Sequence, residues 1–245
     1  MFAHGFGCDQ AMWRFVWPSF EADHRVILFD FPGAGHVPTE EFDFDRYRSL
    51  RGYAADVIEI IDALGLTDVD YVGHSVSAMT GVLAAIQRPE LFHSLVLIGP
   101  SACYLNDGDY AGGFSREDIE SLLDSMDSNY LGWSSQMAPV IMGNADRPEL
   151  ADELETTFCR ADPTISKHFA RVTFLSDNRE DLARLAVPSV ILQCSNDVIA
   201  PPFVGGYVHR HLAGSSFVQL SANGHCPNLS APEETVSAIK TYLEK

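Results

Sequence analysis

The sequence predicts an α/β fold, a mostly parallel β-sheet flanked by helices with a helical cap inserted into it. Three observations predict it. Strand-like and helix-like patterns alternate through about residue 100, strand signals stop between about Phe114 and Ser176, and they resume at Ser189 and Ser216. Regular alternation argues for parallel strands joined by helical crossovers, and a break in the alternation argues for an insertion.

Each element follows from its local pattern. Val26-Ile27-Leu28-Phe29 is a short apolar run with strand-forming residues, and a helix is expected to follow it through about Leu64. In that helix Val57, Ile60, Ile61 and Leu64 recur every three to four residues, Asp56, Glu59 and Asp62 mark the wet face, and Gly65 supplies the stop. Val69, Tyr71 and Val72 form a strand. Ala78, Met79, Val82, Leu83 and Ile86 read as a buried helix, and Leu95-Val96-Leu97-Ile98 reads as the next strand. From Phe114 onward acidic helical segments follow one another, punctuated by Pro139, Pro148 and Pro163. Strands return at Ser189-Val190-Ile191-Leu192-Gln193 and Ser216-Phe217-Val218-Gln219-Leu220, and a last helix runs from about Pro232 to Leu243. The division expected is a first core segment over 1–112, a cap over 113–178 and a second core segment over 179–245.

Composition narrows the function classes. With 245 residues and 46% hydrophobic content the chain can bury a sizeable core. Sixteen Lys and Arg stand against 34 Asp and Glu, a formal charge of −18, which repels nucleic acid and anionic membrane surfaces. Small neutral or cationic substrates are expected instead. No apolar run approaches the roughly 18 residues of a membrane span, and the first residues lack the pattern of a signal peptide, so the expected location is the cytoplasm. Five cysteines at irregular spacings, with no C-x-x-C pair, read as reduced structural thiols and not as a zinc or redox site.

The chemistry concentrates at Gly73-His74-Ser75-Val76-Ser77, which matches G-x-S-x-G except that Ser77 stands in the last glycine's place. That motif presents a nucleophilic serine on a strained turn between a strand and a helix, and the flanking patterns here are a strand and a helix. A serine hydroxyl is a poor nucleophile near neutral pH, so it needs a base within hydrogen-bond reach and a third group to orient that base. Asp197 follows the strand ending at Gln193, and His225 follows the strand ending at Leu220. Both therefore fall past the carboxyl ends of strands, the edge at which open α/β sheets assemble their sites. Two rivals rank lower. His74 adjoins Ser75 and should point away from it, and Asp177 lies at a junction between cap and core.

Acyl transfer also needs donors aimed at the developing oxyanion. His4-Gly5-Phe6-Gly7 has the glycines that let backbone approach a substrate, so the Phe6 and Val76 amides are the expected oxyanion hole. Gly33-Ala34-Gly35 lacks the third glycine of a phosphate loop and reads as a tight turn. No metal or organic cofactor is required, and none is expected.

These residues make the chain resemble the α/β-hydrolase superfamily, with its Ser…Asp…His order, and within it the RsbQ-like group that includes the plant strigolactone and karrikin receptors. The resemblance rests on Ala3-His4-Gly5-Phe6-Gly7-Cys8-Asp9-Gln10, Arg25-Val26-Ile27-Leu28-Phe29-Asp30, Cys103-Tyr104-Leu105-Asn106-Asp107, Gly112-Gly113-Phe114 and Asn223-Gly224-His225-Cys226-Pro227. Ser75-Val76-Ser77-Ala78-Met79 is similar to the receptors' elbow. The resemblance implies a cap of four helices over a deep apolar pocket lined by Phe6, Tyr104, Trp133, Met137 and Phe174. It also implies that relatives carry further residues before the segment matching Met1, so the N-terminal strands of the fold are expected to be truncated here. The activity expected is hydrolysis of small, largely apolar esters or lactones through Ser75, His225 and Asp197. The alternative implied is a signalling hydrolase or small-molecule sensor that turns over slowly and works through a partner phosphatase. Carbon–carbon bond hydrolysis by the same three residues is a third reading, and a dehalogenase, which wants Asp where Ser75 stands, is disfavoured.

Overall fold

The computed structural model describes residues 1–35 and 37–244. Among these, five parallel strands form one sheet in the order β1 (Phe2–Ala3), β2 (Val69–His74), β3 (Phe92–Ile98), β4 (Ser189–Gln193) and β5 (Ser216–Gln219). Strands buried on both faces need apolar residues at successive positions, and β3 and β4 supply them. Alternate residues then serve opposite faces. Tyr71, Leu95, Leu97 and Ile191 pack with α1 (Leu50–Ala63) and α2 (Val76–Gln87), while Val72, Val96, Ile98, Val190 and Leu192 join the layer that includes Trp13 and Ile239.

The chain leaves the sheet after β3 and builds four helices before β4: α3 (Arg116–Ser128), α4 (Tyr130–Met142), α5 (Pro148–Arg160) and α6 (Pro163–Phe174). Local chemistry starts each of them. Ser115 and Asp118 close a reciprocal capping box on α3, Asn129 caps α4, and Asp162 accepts from Thr164 and Ile165 at the start of α6. Pro148 and Pro163 occupy first-turn positions, where the missing N–H costs nothing. After β4 come α7 (Pro202–His211), β5, the single turn α8 (Pro227–Ser230) and α9 (Pro232–Leu243).

Two local expectations are corrected. Val26–Phe29 forms no strand: a strand needs a ladder partner, the neighbouring β1 is two residues long, and the pairing reduces to one bridge between Phe2 and Leu28. Pro139 does not separate helices but lies inside α4, which runs only three residues further before Gly143, at φ 64°, ends it.

Candidate active site

Ser75 sits where β2 turns into α2, with φ 58° and ψ −123°. A non-glycine residue in this region stores strain of about 1–3 kcal/mol, which the surroundings must hold. Here the Ser75 amide donates to the Ile98 carbonyl at 2.8 Å, and the Ser75 carbonyl accepts from Ala78 at 2.9 Å. The strained turn lifts the side chain out of both the sheet and the helix.

The ladder between β4 and β5 continues as a bridge between Asn196 and Asn223, which sets the next residues of both loops side by side. His225 then spans the gap between the other two groups. Its Nδ1 lies 2.7 Å from Asp197 Oδ2, and its Nε2 lies 2.7 Å from Ser75 Oγ. An ionised carboxylate only accepts, so Nδ1 carries the proton, and Nε2 is left to accept from the serine hydroxyl. The second carboxylate oxygen, Oδ1, accepts from the amides of Ile199 at 2.8 Å and Ala200 at 3.0 Å, which fixes the carboxylate's plane. Ser75, Asp197 and His225 are all buried.

The His225 backbone is held from two sides. The His74 ring reaches its carbonyl at 2.7 Å through Nε2, and its amide donates to the Ile141 carbonyl near the end of α4 at 2.9 Å. Burial drives the His74 pKa down to about 3, so the ring is neutral and Nε2 is the donor. His74 thus braces the loop that carries His225 instead of facing Ser75. Next to it Gly224 stands at φ 83°, and a Cβ there would lie 1.8 Å from the Met142 carbonyl, so only glycine lets the loop meet α4. Asn144 ties the same joint, donating to the Met142 and Asn223 carbonyls at 2.6 and 2.9 Å.

Phe6 lines the cavity that holds Ser75, and Val76 directly follows Ser75 in the chain. Among the described residues neither amide donates to a protein acceptor, and Val76 is the first residue of α2, whose positive dipole end faces the site. The loop with Phe6 is fastened at His4 by two bonds. Ser77 donates its hydroxyl to the His4 carbonyl, while His4 Nε2 accepts from the Phe31 amide at 3.1 Å. The Phe6 ring lies among Trp133, Phe158, Phe169 and Phe174, with centroids 5.8–6.2 Å away. Cap residues therefore surround the Phe6 ring.

A cavity opens over Ser75, and Phe6, Tyr104, Trp133, Met137 and Phe174 all line it. Leu154 and Phe158 of α5, Ile141 of α4 and Thr173 of α6 also line it and were not expected there. A signal for the first two was present, since Leu154 and Phe158 are spaced i, i+4 on an otherwise polar helix. Burial raises the pKa of the Tyr104 phenol, opposed by the nearby Ser75 hydroxyl, so the phenol stays neutral. Asp177 lies elsewhere, in an ion pair with Arg179 at 2.6 Å. Among the described residues no group of three or more His, Cys, Asp or Glu side chains is arranged to hold a metal ion, and no helix is long and apolar enough to cross a membrane.

The sequence profile described as the alpha/beta hydrolase family matches residues 1–238. The chain belongs to the alpha/beta hydrolase family. Within that family it is 45% identical over 247 residues to the strigolactone esterase RMS3 of Pisum sativum, with all of this chain and 92% of the relative covered. It is 41% identical over 241 residues to the karrikin insensitive 2 receptor IA of Petunia hybrida, covering 98% of this chain and 88% of the relative. Among solved structures, a hydrolase from Oleispira antarctica superposes with a TM-score of 0.96 at 40% identity, over all of this chain and 90% of its own. The five-stranded sheet with its four-helix cap is thus the alpha/beta hydrolase fold.

Proposed function

We propose that this alpha/beta hydrolase is a serine carboxylic-ester hydrolase acting on small, largely apolar esters or lactones through an acyl-enzyme. The observation that carries the reading is the His225 ring, set 2.7 Å from Ser75 Oγ on one side and 2.7 Å from Asp197 on the other. In this reading His225 Nε2 takes the Ser75 proton as Oγ attacks the ester carbonyl carbon, and Asp197 stabilises the imidazolium that forms. The carbonyl oxygen becomes an oxyanion held by the Phe6 and Val76 amides. Collapse breaks the ester C–O bond, and His225 returns its proton to the departing alcohol. A water molecule, deprotonated by His225, then attacks the acyl carbon, which frees the carboxylic acid and restores Ser75.

The burial of Ser75 beneath an apolar roof favours a compact, uncharged substrate, since burying an unpaired charge there is costly. The esterase named among the relatives supports the same chemistry. A cytoplasmic setting suits the chain, whose five cysteines are all free thiols. The test is turnover of a short aryl ester by wild type and by Ser75→Ala. Loss of turnover in the variant is expected, and an unchanged rate would rule the reading out.

A second reading, a slow sensor that signals through a protein partner such as a phosphatase, is favoured by the similarity to a protein named as a receptor. Affinity capture with a ligand-loaded Ser75→Ala protein separates the two. A ligand-dependent phosphatase partner supports the sensor, and fast turnover of simple esters without any partner supports the metabolic esterase.

A further inference from the structure

Thr173 departs from the pattern of the other buried helical threonines among the described residues. A buried helical threonine normally donates its hydroxyl to the carbonyl four residues back, which removes a polar group from the interior. Thr80 does so to Val76 at 3.2 Å and Thr235 does so to Ala231 at 2.9 Å, and the half-exposed or exposed Thr157 and Thr156 follow suit. Thr173, in the last turn of α6 and only 1% exposed, has no hydrogen-bond partner for Oγ1. It is also the threonine that lines the cavity over Ser75. A buried polar group without a partner calls for an explanation, and in a cavity wall a ligand atom can supply the missing bond.

The other polar atoms of the cavity sharpen the assignment. The Trp133 indole Nε1–H, on α4, is likewise buried and unpartnered. The third unpartnered atom, His74 Nδ1, is walled off by the backbone of Gly5, where an added Cβ would lie 2.6 Å from it. Ser75 and His225 are engaged with each other. The Tyr104 phenol stands beside the Ser75 hydroxyl, so the polar groups of the wall away from Ser75 are a threonine hydroxyl and an indole donor, and both suit an uncharged oxygen.

Building on the esterase reading, we propose that Thr173 is a specificity-determining residue that hydrogen-bonds a second oxygen of the substrate. The substrate class is an ester or lactone that carries a ketone, ether or hydroxyl oxygen separate from the scissile carbonyl. A purely hydrocarbon acyl chain leaves the Thr173 hydroxyl unpaired, and sites built for a hydrogen bond discriminate against ligands that lack it.

The test compares the para-nitrophenyl ester of an unbranched six-carbon acid with its positional keto counterparts. In wild type at least one keto ester is expected to exceed the parent about fivefold to tenfold in kcat/KM, within the worth of one uncharged hydrogen bond. Thr173→Val should collapse that ratio to within about twofold, and Thr173→Ser, which keeps the hydroxyl, should retain it; Thr173→Ala replaces the valine variant if that fails to fold. A parallel arm measures binding of the matching, unhydrolysed alkyl amides to Ser75→Ala with and without Thr173→Val. It needs no turnover, so failure of the esterase reading leaves it interpretable. A flat keto series in both arms, or a preference that survives Thr173→Val, would overturn the assignment.

Discussion

Replacing Ser77 with Ala removes one hydroxyl from a fully buried position, yet its main effect should appear in catalysis. The Ser77 hydroxyl holds the His4 carbonyl, two residues before Phe6. Losing an uncharged hydrogen bond costs about 0.5–1.5 kcal/mol, and the stranded carbonyl of buried His4 adds to that. Complete loss of one oxyanion donor costs about 2.7–4 kcal/mol in the barrier. The loop keeps its other anchors, the His4 ring on the Phe31 amide and the Phe6 ring among four aromatics, so the donor is loosened and not lost. The expected loss in kcat is therefore roughly tenfold to a hundredfold, or about 1.4–2.8 kcal/mol. KM should change little, because the apolar cavity wall is untouched. Folding should persist as well, since the Tyr71 hydroxyl still reaches the Ser77 backbone carbonyl at 3.0 Å. Steady-state hydrolysis of a short aryl ester reads both constants, and a kcat within twofold of wild type would refute the view that Ser77 positions the oxyanion loop.

Other perturbations give separable results. Asp197→Asn keeps the shape but reverses the preferred His225 tautomer, and kcat should fall about ten-thousandfold with little change in thermal midpoint. Gly224→Ala forces a Cβ towards the Met142 carbonyl at φ 83° and should cost at least about 1–2 kcal/mol in denaturant unfolding while also lowering kcat, because His225 is the next residue. For pH, the His74 pKa is depressed to about 3 in the folded protein, so the unfolded chain binds its proton more readily. Stability is then full above the unfolded value near 6.5 and declines as pH falls towards 3, by about 1.4 kcal/mol per pH unit for this residue alone. Burial lowers the His4 pKa in the same direction. Urea midpoints measured from pH 7 to pH 5 should fall accordingly, and His74→Gln should flatten the decline.

Much of this arrangement was legible in the chain, for physical reasons. Strands buried on both faces must be written as unbroken apolar runs, which is why β3 and β4 stand out, and groups placed after such runs reach the same sheet edge. Ser75, Asp197 and His225 are of that kind. Contacts that depend on how the cap sits on the sheet were not legible. Ser77 meets a carbonyl 73 residues earlier, His225 hangs from the end of α4, and Thr173 faces the cavity because of the phase of α6 over the core. Val26–Phe29 shows the converse: its residues favour a strand, but only its pairing partner decides whether one forms.

The central claim is that Ser75 is the nucleophile primed by His225. Treatment with a fluorophosphonate probe, followed by peptide mapping, tests it most directly. Stoichiometric phosphonylation of Ser75, lost in Ser75→Ala and strongly slowed in His225→Ala, is the predicted result. Labelling at another residue, or undiminished labelling of the Ser75→Ala protein, would contradict the account.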